Sequence, residues 1–454
     1  MSDLIYRQDT IAAIATAPGN GGIGIIRMSG PEAGKILTTI FHPASGQDIL
    51  AESHRLFYGH LMDKKETVDE CMAVFMRAPR SYTREDVAEI QLHGGNYVVS
   101  RVLEICLRMG ARLADAGEFT RRAFLNGRID LSRAEAVMEL ITARGAQEHK
   151  AAVRQLNGGA SSFIRGFSDA LYDLQAGLAA CIDYPEEISD EEGAGTLKEG
   201  LEILISRLED AIDEHASRLI HQGFRIALIG RPNVGKSSLL NALLGEDRAI
   251  VTDIPGTTRD TVYGEMTVNG IRILLTDTAG IHETDDPVEK IGVERSEKAR
   301  TESDASFLIV DGSETLTETD IDLLHGFGGS GAVLINKTDL EQVLTEDDIR
   351  KILPDTMCIP VCAKDPQSLI PVREYIEECV KVTDQLALTQ PRHLDAARRA
   401  AGHMKDALKT IECLTPDMAS TDLQAAQSAL SEITGDNPDE KLLDRVFSQF
   451  CVGK

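Results

Sequence analysis

Four short stretches of this 454-residue sequence carry residue types and spacings suited to handling a nucleotide. "GRPNVGKSS", from Gly230, fits G-x-x-x-x-G-K-[ST] and sits between the strand-like "FRIALI" and the helix-like "SSLLNALLG". In that setting the glycines let backbone N–H groups approach phosphates. Lys236 is expected to reach the β- and γ-phosphates during hydrolysis and Ser237 to ligate Mg²⁺, with Asn233, Val234, Gly235 and Ser238 completing the loop. "NKTD" supplies Asn336, Lys337 and Asp339 after another strand-like run. A carboxylate such as Asp339 accepts from both N1–H and N2–H of guanine, a donor pair adenine lacks, so the pattern implies GTP rather than ATP. Between these lies Asp277-Thr278-Ala279-Gly280, a D-x-x-G that senses a last phosphate. "GTTRD", residues 256–260, lies where a switch threonine belongs, which makes Thr258 the expected second Mg²⁺ ligand. "CAK" at Cys362–Lys364 matches the S-A-K loop that backs guanine, with cysteine for serine.

The residue after D-x-x-G sets a problem. Many small GTPases carry a glutamine there to orient the attacking water. Here it is Ile281, whose side chain has no hydrogen-bonding atom. Another group must hold the water or offset the developing charge. Arg259, acting as a finger in cis, is one candidate.

These motifs need elements to hold them. Residues 224 to about 380 alternate strand-like runs ("FRIALIG", "IRILLTD", "ASFLIVD", "GAVLIN", "CIPVCA") with helical stretches, the pattern of a mostly parallel α/β sheet. Residues 1 to about 120 mix strands ("TIAAIATA", "IGIIRM", "ECMAVFM", "AEIQLHG") with helices ("GPEAGKILTTIF", "NYVVSRVLEICLRMG"), an α+β pattern. "GNGGIG" matches G-x-G-x-x-G, but no helix start follows it, so it is read as a glycine hairpin turn. Val137, Leu140 and Ile141 recur at helical spacing. So do Leu201, Leu204, Ile205, Leu208 and Ile212, and later Ala397, Ala401, Met404, Leu408 and Ile411. The expected fold is therefore multidomain: an N-terminal α+β domain (1–124), a discontinuous α-helical domain (125–220 and 381–454) whose halves bury each other's apolar faces, and an inserted α/β P-loop GTPase domain (221–380).

Bulk composition bounds the rest. The net charge of −26 argues against a general nucleic-acid coat, though not against a small basic patch. Twelve carboxylates crowd Asp183–Glu214 against Lys198 and Arg207, a solvated helix face and loop. Eight cysteines form no C-x-x-C pair, and no apolar run approaches the about 18 residues a membrane span needs. No signal-peptide pattern opens the chain. These features lead to an expectation of a cytoplasmic chain with free thiols and no membrane partner.

The order P-loop, GTTRD, DTAG, NKTD resembles the translation-factor-related GTPases, including the Era and Der types. The whole chain resembles the MnmE (TrmE) family of tRNA-modification GTPases. The likeness rests on "PGNGGIGIIRMSG", "FTRRAFLNGRIDLSRAEA", the inserted GTPase domain and the terminal "FCVGK". It implies that Glu289, in "DPVEKIG", orients the water, although on residue type alone Glu289 reads as an ordinary solvated helix residue. It implies a K⁺ site built from Asn233, Thr252, Ile254 and Thr257, formed when two GTPase domains meet, where an amide and carbonyls suit a hard cation. For the N-terminal domain it implies homodimerisation and a 5-formyltetrahydrofolate or related one-carbon folate held by Arg27, Glu89, Arg128 and Lys454. Cys451 becomes a candidate participant in the modification chemistry. The implied activity is potassium-dependent GTP hydrolysis driving a conformational change. With a flavin- and NADH-dependent partner, MnmG, this gates carboxymethylaminomethyl or aminomethyl addition at C5 of the wobble uridine (position 34) of certain tRNAs.

Two other classes stay open at this point. A ribosome-assembly-type GTPase switch usually appends a basic RNA-binding module, and neither a KH-like G-x-x-G unit nor a basic tail is present. A folate-dependent transferase with a merely regulatory GTPase domain is separated only by measuring modified uridine.

Overall fold

The computed structural model describes residues 9–183, 190–245, 264–277, 303–328, 330–382, 387–413, 416–436, 438 and 440–453. Two compact units emerge. One draws on the chain up to Ile141, Val153–Glu209 and from Ala396 onward; the other on Thr142–Ala152 and Asp210–Asp395.

The first unit opens with a seven-stranded sheet. Its strands are β1 (Ile11–Ile14), β2 (Gly24–Ser29), β3 (Phe41–Pro43), β4 (Leu56–Asp63), β5 (Glu66–Met76), β6 (Val87–Leu92) and β7 (Arg112–Leu113), in the order β3-β4-β5-β6-β2-β1-β7. All neighbours are antiparallel except β1 and β7. "GNGGIG" joins β1 to β2 as the hairpin connection expected of it, with Ile14 opposite Ile26. Alternation along β2 and β6 sends Ile26, Met28, Ala88 and Ile90 into a core shared with the helices Ala33–Ile40 and Asn96–Arg108. Arg27 and Glu89, directly opposite each other across β2 and β6, are left on the other face.

The helices Leu131–Thr142, Gly159–Asp183, Asp190–Asp210, Pro391–Cys413, Ser420–Thr434 and Glu440–Phe447 supply the helical part. The two halves do bury each other: Leu131 and Ala134 pack with Leu443, Phe447 and Phe450. Burial departs from the sequence pattern at three places. Ile141, grouped by spacing with Val137 and Leu140, is exposed at the end of Leu131–Thr142. Ile212 falls beyond the helix end at Asp210, because Asp213 caps a new helix, Glu214–Gln222, by accepting from the Ala216 N–H at 2.8 Å. On Pro391–Cys413 the buried stripe is Ala397, Ala400, Ala401, Met404, Ala407 and Ile411, with Leu408 only half-buried.

The second unit is a six-stranded sheet. Its strands are β8 (Phe224–Ile229), β9 (Gly264–Val268), β10 (Ile271–Asp277), β11 (Ala305–Asp311), β12 (Gly331–Asn336) and β13 (Met357–Pro360), ordered β13-β12-β11-β8-β10-β9. Only β9 runs antiparallel to its neighbour. Successive residues of β8, β11 and β12 enter opposite cores: Leu228, Phe307, Ile309 and Leu334 in one, Ala227, Leu308, Val310 and Val333 in the other. Strands buried on both faces read as unbroken apolar runs, which is why these were legible. In this order the carboxyl ends of β12, β11, β8 and β10 are neighbours, so Asn336, Asp311, Gly230 and Asp277 are delivered to one edge of the sheet, where open α/β sheets bind ligands.

Candidate functional sites

The phosphate loop is shaped by backbone that side chains tolerate poorly. Gly230, Asn233 and Gly235 have φ of 152°, 66° and 99°. A Cβ on Gly230 would meet the Ile309 carbonyl oxygen at 2.5 Å, and one on Gly235 would meet Asn336 Nδ2 at 2.3 Å. Gly235 then caps the helix Lys236–Leu244, whose first-turn N–H groups and dipole favour an anion. The Lys236 ammonium is buried and donates to the carbonyls of Gly230 and Arg231 at 2.7 and 2.8 Å. It therefore lies across the loop rather than extended beyond it. Ser237, Ser238 and Asn233 are exposed at its rim.

The N-K-x-D turn is bolted to this loop. Asn336 is buried, and its Nδ2 donates to the Val234 carbonyl at 2.8 Å. Its Oδ1 is enclosed and has no hydrogen-bond partner among the described residues, an acceptor left over for a ligand. Lys337 has φ of 67° and its ammonium donates to Asp311 Oδ2 at 2.5 Å. Burial would raise the Asp311 pKa, but Lys337 and two bonds from Ser313 outweigh it and hold the carboxyl below its usual range. Asp339 accepts from Lys364 at 2.7 Å, and that bond above all holds its carboxyl below the usual range. Arg231 ties the loop to the helix Glu318–Gly326, with Nε 3.1 Å from buried Asp320 and Nη2 on Glu314 at 2.5 Å. The glycine cradle, the spare Asn336 oxygen and the ionised Asp339 together fit a guanine nucleotide, with Ser237 available to Mg²⁺. Thr252, Ile254, Thr257, Thr258, Thr278, Ala279, Gly280 and Glu289 lie outside the described residues, as do Arg259 and Ile281. Asp277 is the last residue of β10.

A second cluster forms in the first unit. Arg27 Nε donates to Glu89 Oε1 at 2.7 Å, and its Nη1 to the Gly453 carbonyl at 3.2 Å. The Arg27 guanidinium lies 5.9 Å from the centre of the Tyr82 ring and 5.8 Å from that of Phe119. Arg128 approaches the same Tyr82 ring at 4.7 Å. Arg27, which holds Glu89, and Arg128 thus meet at the Tyr82 ring. The C-terminal tail completes the cluster: Val452 bridges Ala116, and Gly453 adopts φ of 99° against β1. Cys451 is exposed, and Lys454 lies outside the described residues. Beneath, buried Arg122 bonds Asp9, Glu85 and Glu118, fixing the helix Glu118–Leu125 that carries Phe119.

The family model for the N-terminus of the GTP-binding protein TrmE matches residues 10–128, and that for the MnmE helical domain matches residues 131–451. A tRNA modification GTPase MnmE from Clostridioides difficile is 43% identical over 99% of this chain and 100% of its own length. Those of Heliobacterium modesticaldum and Listeria innocua are each 43% identical over 98% of this chain and 99% of theirs. The chain belongs to the MnmE (TrmE) family. Among solved structures, Aquifex aeolicus Era bound to GDP and AlF4⁻ is similar over 40% of this chain and 66% of its own, at 26% identity and a TM-score of 0.27.

Two features of this family member escaped the motif reading. Asp311 had a signal, since an acidic residue ends the strand beside the one that ends in Asn336. Tyr82 had none beyond its place in an arginine-rich loop, "RAPRSYTRED". Among the described residues no helix is long and apolar enough to cross a membrane.

Proposed function

We propose that this chain hydrolyses GTP to drive a conformational change that gates modification of the wobble uridine of tRNA at C5. Hydrolysis in tRNA modification is the named activity of its relatives. The observation that carries it to this chain is the Asn336–Val234 bond, which joins the base-reading turn to the phosphate loop as one rigid receptor. K⁺ held by Asn233, Thr252, Ile254 and Thr257 would offset charge in the transition state, and Glu289 would orient the water. The chain acts as a homodimer in the cytoplasm with a flavin- and NADH-dependent subunit of the MnmG type. Arg27, Glu89, Arg128 and the Cys451–Lys454 tail hold a one-carbon folate. Support for that site comes from geometry: a carboxylate suited to an aminopyrimidine is held by Arg27, which shares the Tyr82 ring with Arg128.

The deciding test measures modified uridine in tRNA with partner, folate and GTP each omitted in turn. Loss of product in every omission is expected. Full modification without GTP would leave a folate-dependent transferase whose GTPase domain is incidental.

A further inference from the structure

Beside Tyr82, the same loop borders an open depression of about 460 Å³ that three arginines line together with apolar Met76 and Pro79. Arg80, Arg84 and Arg128 face it together with His54, Ser81 and Tyr82, and no carboxylate lines it among the described residues. In a chain of net charge −26 such a grouping runs against the overall charge. The arginines are not used up internally. Among the described residues the guanidinium groups of Arg80 and Arg128 have no hydrogen-bond or ion-pair partner, and Arg84 gives one bond, from Nη1 to the Asn126 carbonyl at 2.9 Å. Arg84 itself is held at φ of 60°. A second cavity of about 450 Å³ shares Tyr82 and Arg128 with the first, and there Arg133 adds another guanidinium over an apolar wall of Val137, Leu140 and Leu156.

We infer that the Arg80–Arg84–Arg128 cavity receives the γ-linked glutamate chain of the folate. This rests on the one-carbon folate reading of the Arg27–Glu89 cluster. Tyr82 and Arg128 belong to both places, so the arginine cavity adjoins the Arg27–Glu89 cluster through the Tyr82 ring. Guanidinium forks match carboxylates two bonds at a time, and each γ-glutamyl unit presents one carboxylate. An RNA backbone is the weaker fit. It would need a stripe of basic residues along an extended surface, whereas these arginines converge on one concavity of small-molecule size.

The test uses the full chain at fixed ionic strength and titration calorimetry with 5-formyltetrahydrofolate carrying one glutamate, the same folate carrying five, and a tRNA transcript. Arg80→Gln/Arg84→Gln is compared with the parent chain, its GTP hydrolysis rate serving as the check on folding. The expected result is about tenfold or greater preference of the parent for the five-glutamate form. The variant should lose that preference and keep its affinity for the one-glutamate form. Equal affinity of the parent for both forms, or a preference that survives in the variant, overturns the inference. Binding of neither form removes the folate reading itself and the inference with it. A variant that loses tRNA affinity while keeping the five-glutamate preference reassigns the cavity to RNA.

Discussion

Asn336 Nδ2 donates to the carbonyl of Val234 at 2.8 Å, across 102 residues of sequence. The bond ties the N-K-x-D turn to the phosphate loop. Asn336→Ala leaves the buried Val234 carbonyl unsatisfied at a cost of about 1–3 kcal/mol and removes the spare Oδ1. GTP affinity, measured with a fluorescent GTP analogue, should fall about tenfold or more, because each ~1.4 kcal/mol is a factor of ten. An unchanged affinity would show that the two motifs act independently.

Asp311 and Lys337 set an acid limit on the same turn. The folded carboxyl lies below its ordinary 3.8 despite burial, so its contribution is fully present above that value and is lost as pH falls through the lower, folded one. Asp311→Asn should therefore be less stable than the parent at pH 7, and the gap should close below about pH 4. Urea midpoints at pH 7, 5 and 3 check this. A gap that stays constant with pH would mean that the ion pair contributes nothing through titration.

Gly453 is fixed by sterics rather than flexibility. A Cβ there would lie 2.2 Å from the Ile14 carbonyl oxygen, at φ of 99°, and neither backbone can yield cheaply. Gly453→Ala should free the C-terminal tail, read as faster hydrogen exchange in the last peptide, and should weaken folate binding because Arg27 loses an acceptor. Cys451→Ser, at an exposed position, should leave exchange untouched. If that variant also supports full tRNA modification, the thiol has no chemical role.

What was legible and what was not divides by distance along the chain. The phosphate loop, D-x-x-G and N-K-x-D are local spacings, and the buried parallel strands that present them are unbroken apolar runs, so the motifs and the sheet could be read directly. The Arg27–Glu89 pair could not. Its partners are 62 residues apart and meet only because β2 and β6 take one register, which spacing does not encode. Tyr82 and Arg84 depend on a loop whose course is set by contacts such as that of Arg84 with Asn126. Helix ends were missed where a cap intervened, as at Asp213 after Ile212. Family likeness named Arg27, Glu89 and Arg128; geometry adds the ring between them.

Ile281 cannot orient a water, so the burden falls on Glu289 in the proposed mechanism. A group that acts only on the attacking water contributes to the transition state and not to nucleotide binding. Glu289→Ala should therefore lose most of kcat, on the order of 10²-fold or more, and keep its GTP affinity. Single-turnover hydrolysis beside equilibrium titration separates the two. An unchanged kcat strikes Glu289 from the mechanism and returns attention to Arg259.

Asn233 stands exposed on the rim of the phosphate loop in a left-handed conformation, with its amide unclaimed by any hydrogen bond among the described residues. A hard cation of suitable radius could take that amide oxygen together with carbonyls of the switch segment, but only once a second GTPase domain closes the site. Hydrolysis should then be faster in K⁺ than in Na⁺, and specific activity in K⁺ should rise with protein concentration until pairing saturates. Asn233→Ala should abolish the difference between the two salts while leaving GTP binding near the parent level. Rates that are equal in the two salts and flat on dilution would place charge compensation within a single chain, where Arg259 is the candidate.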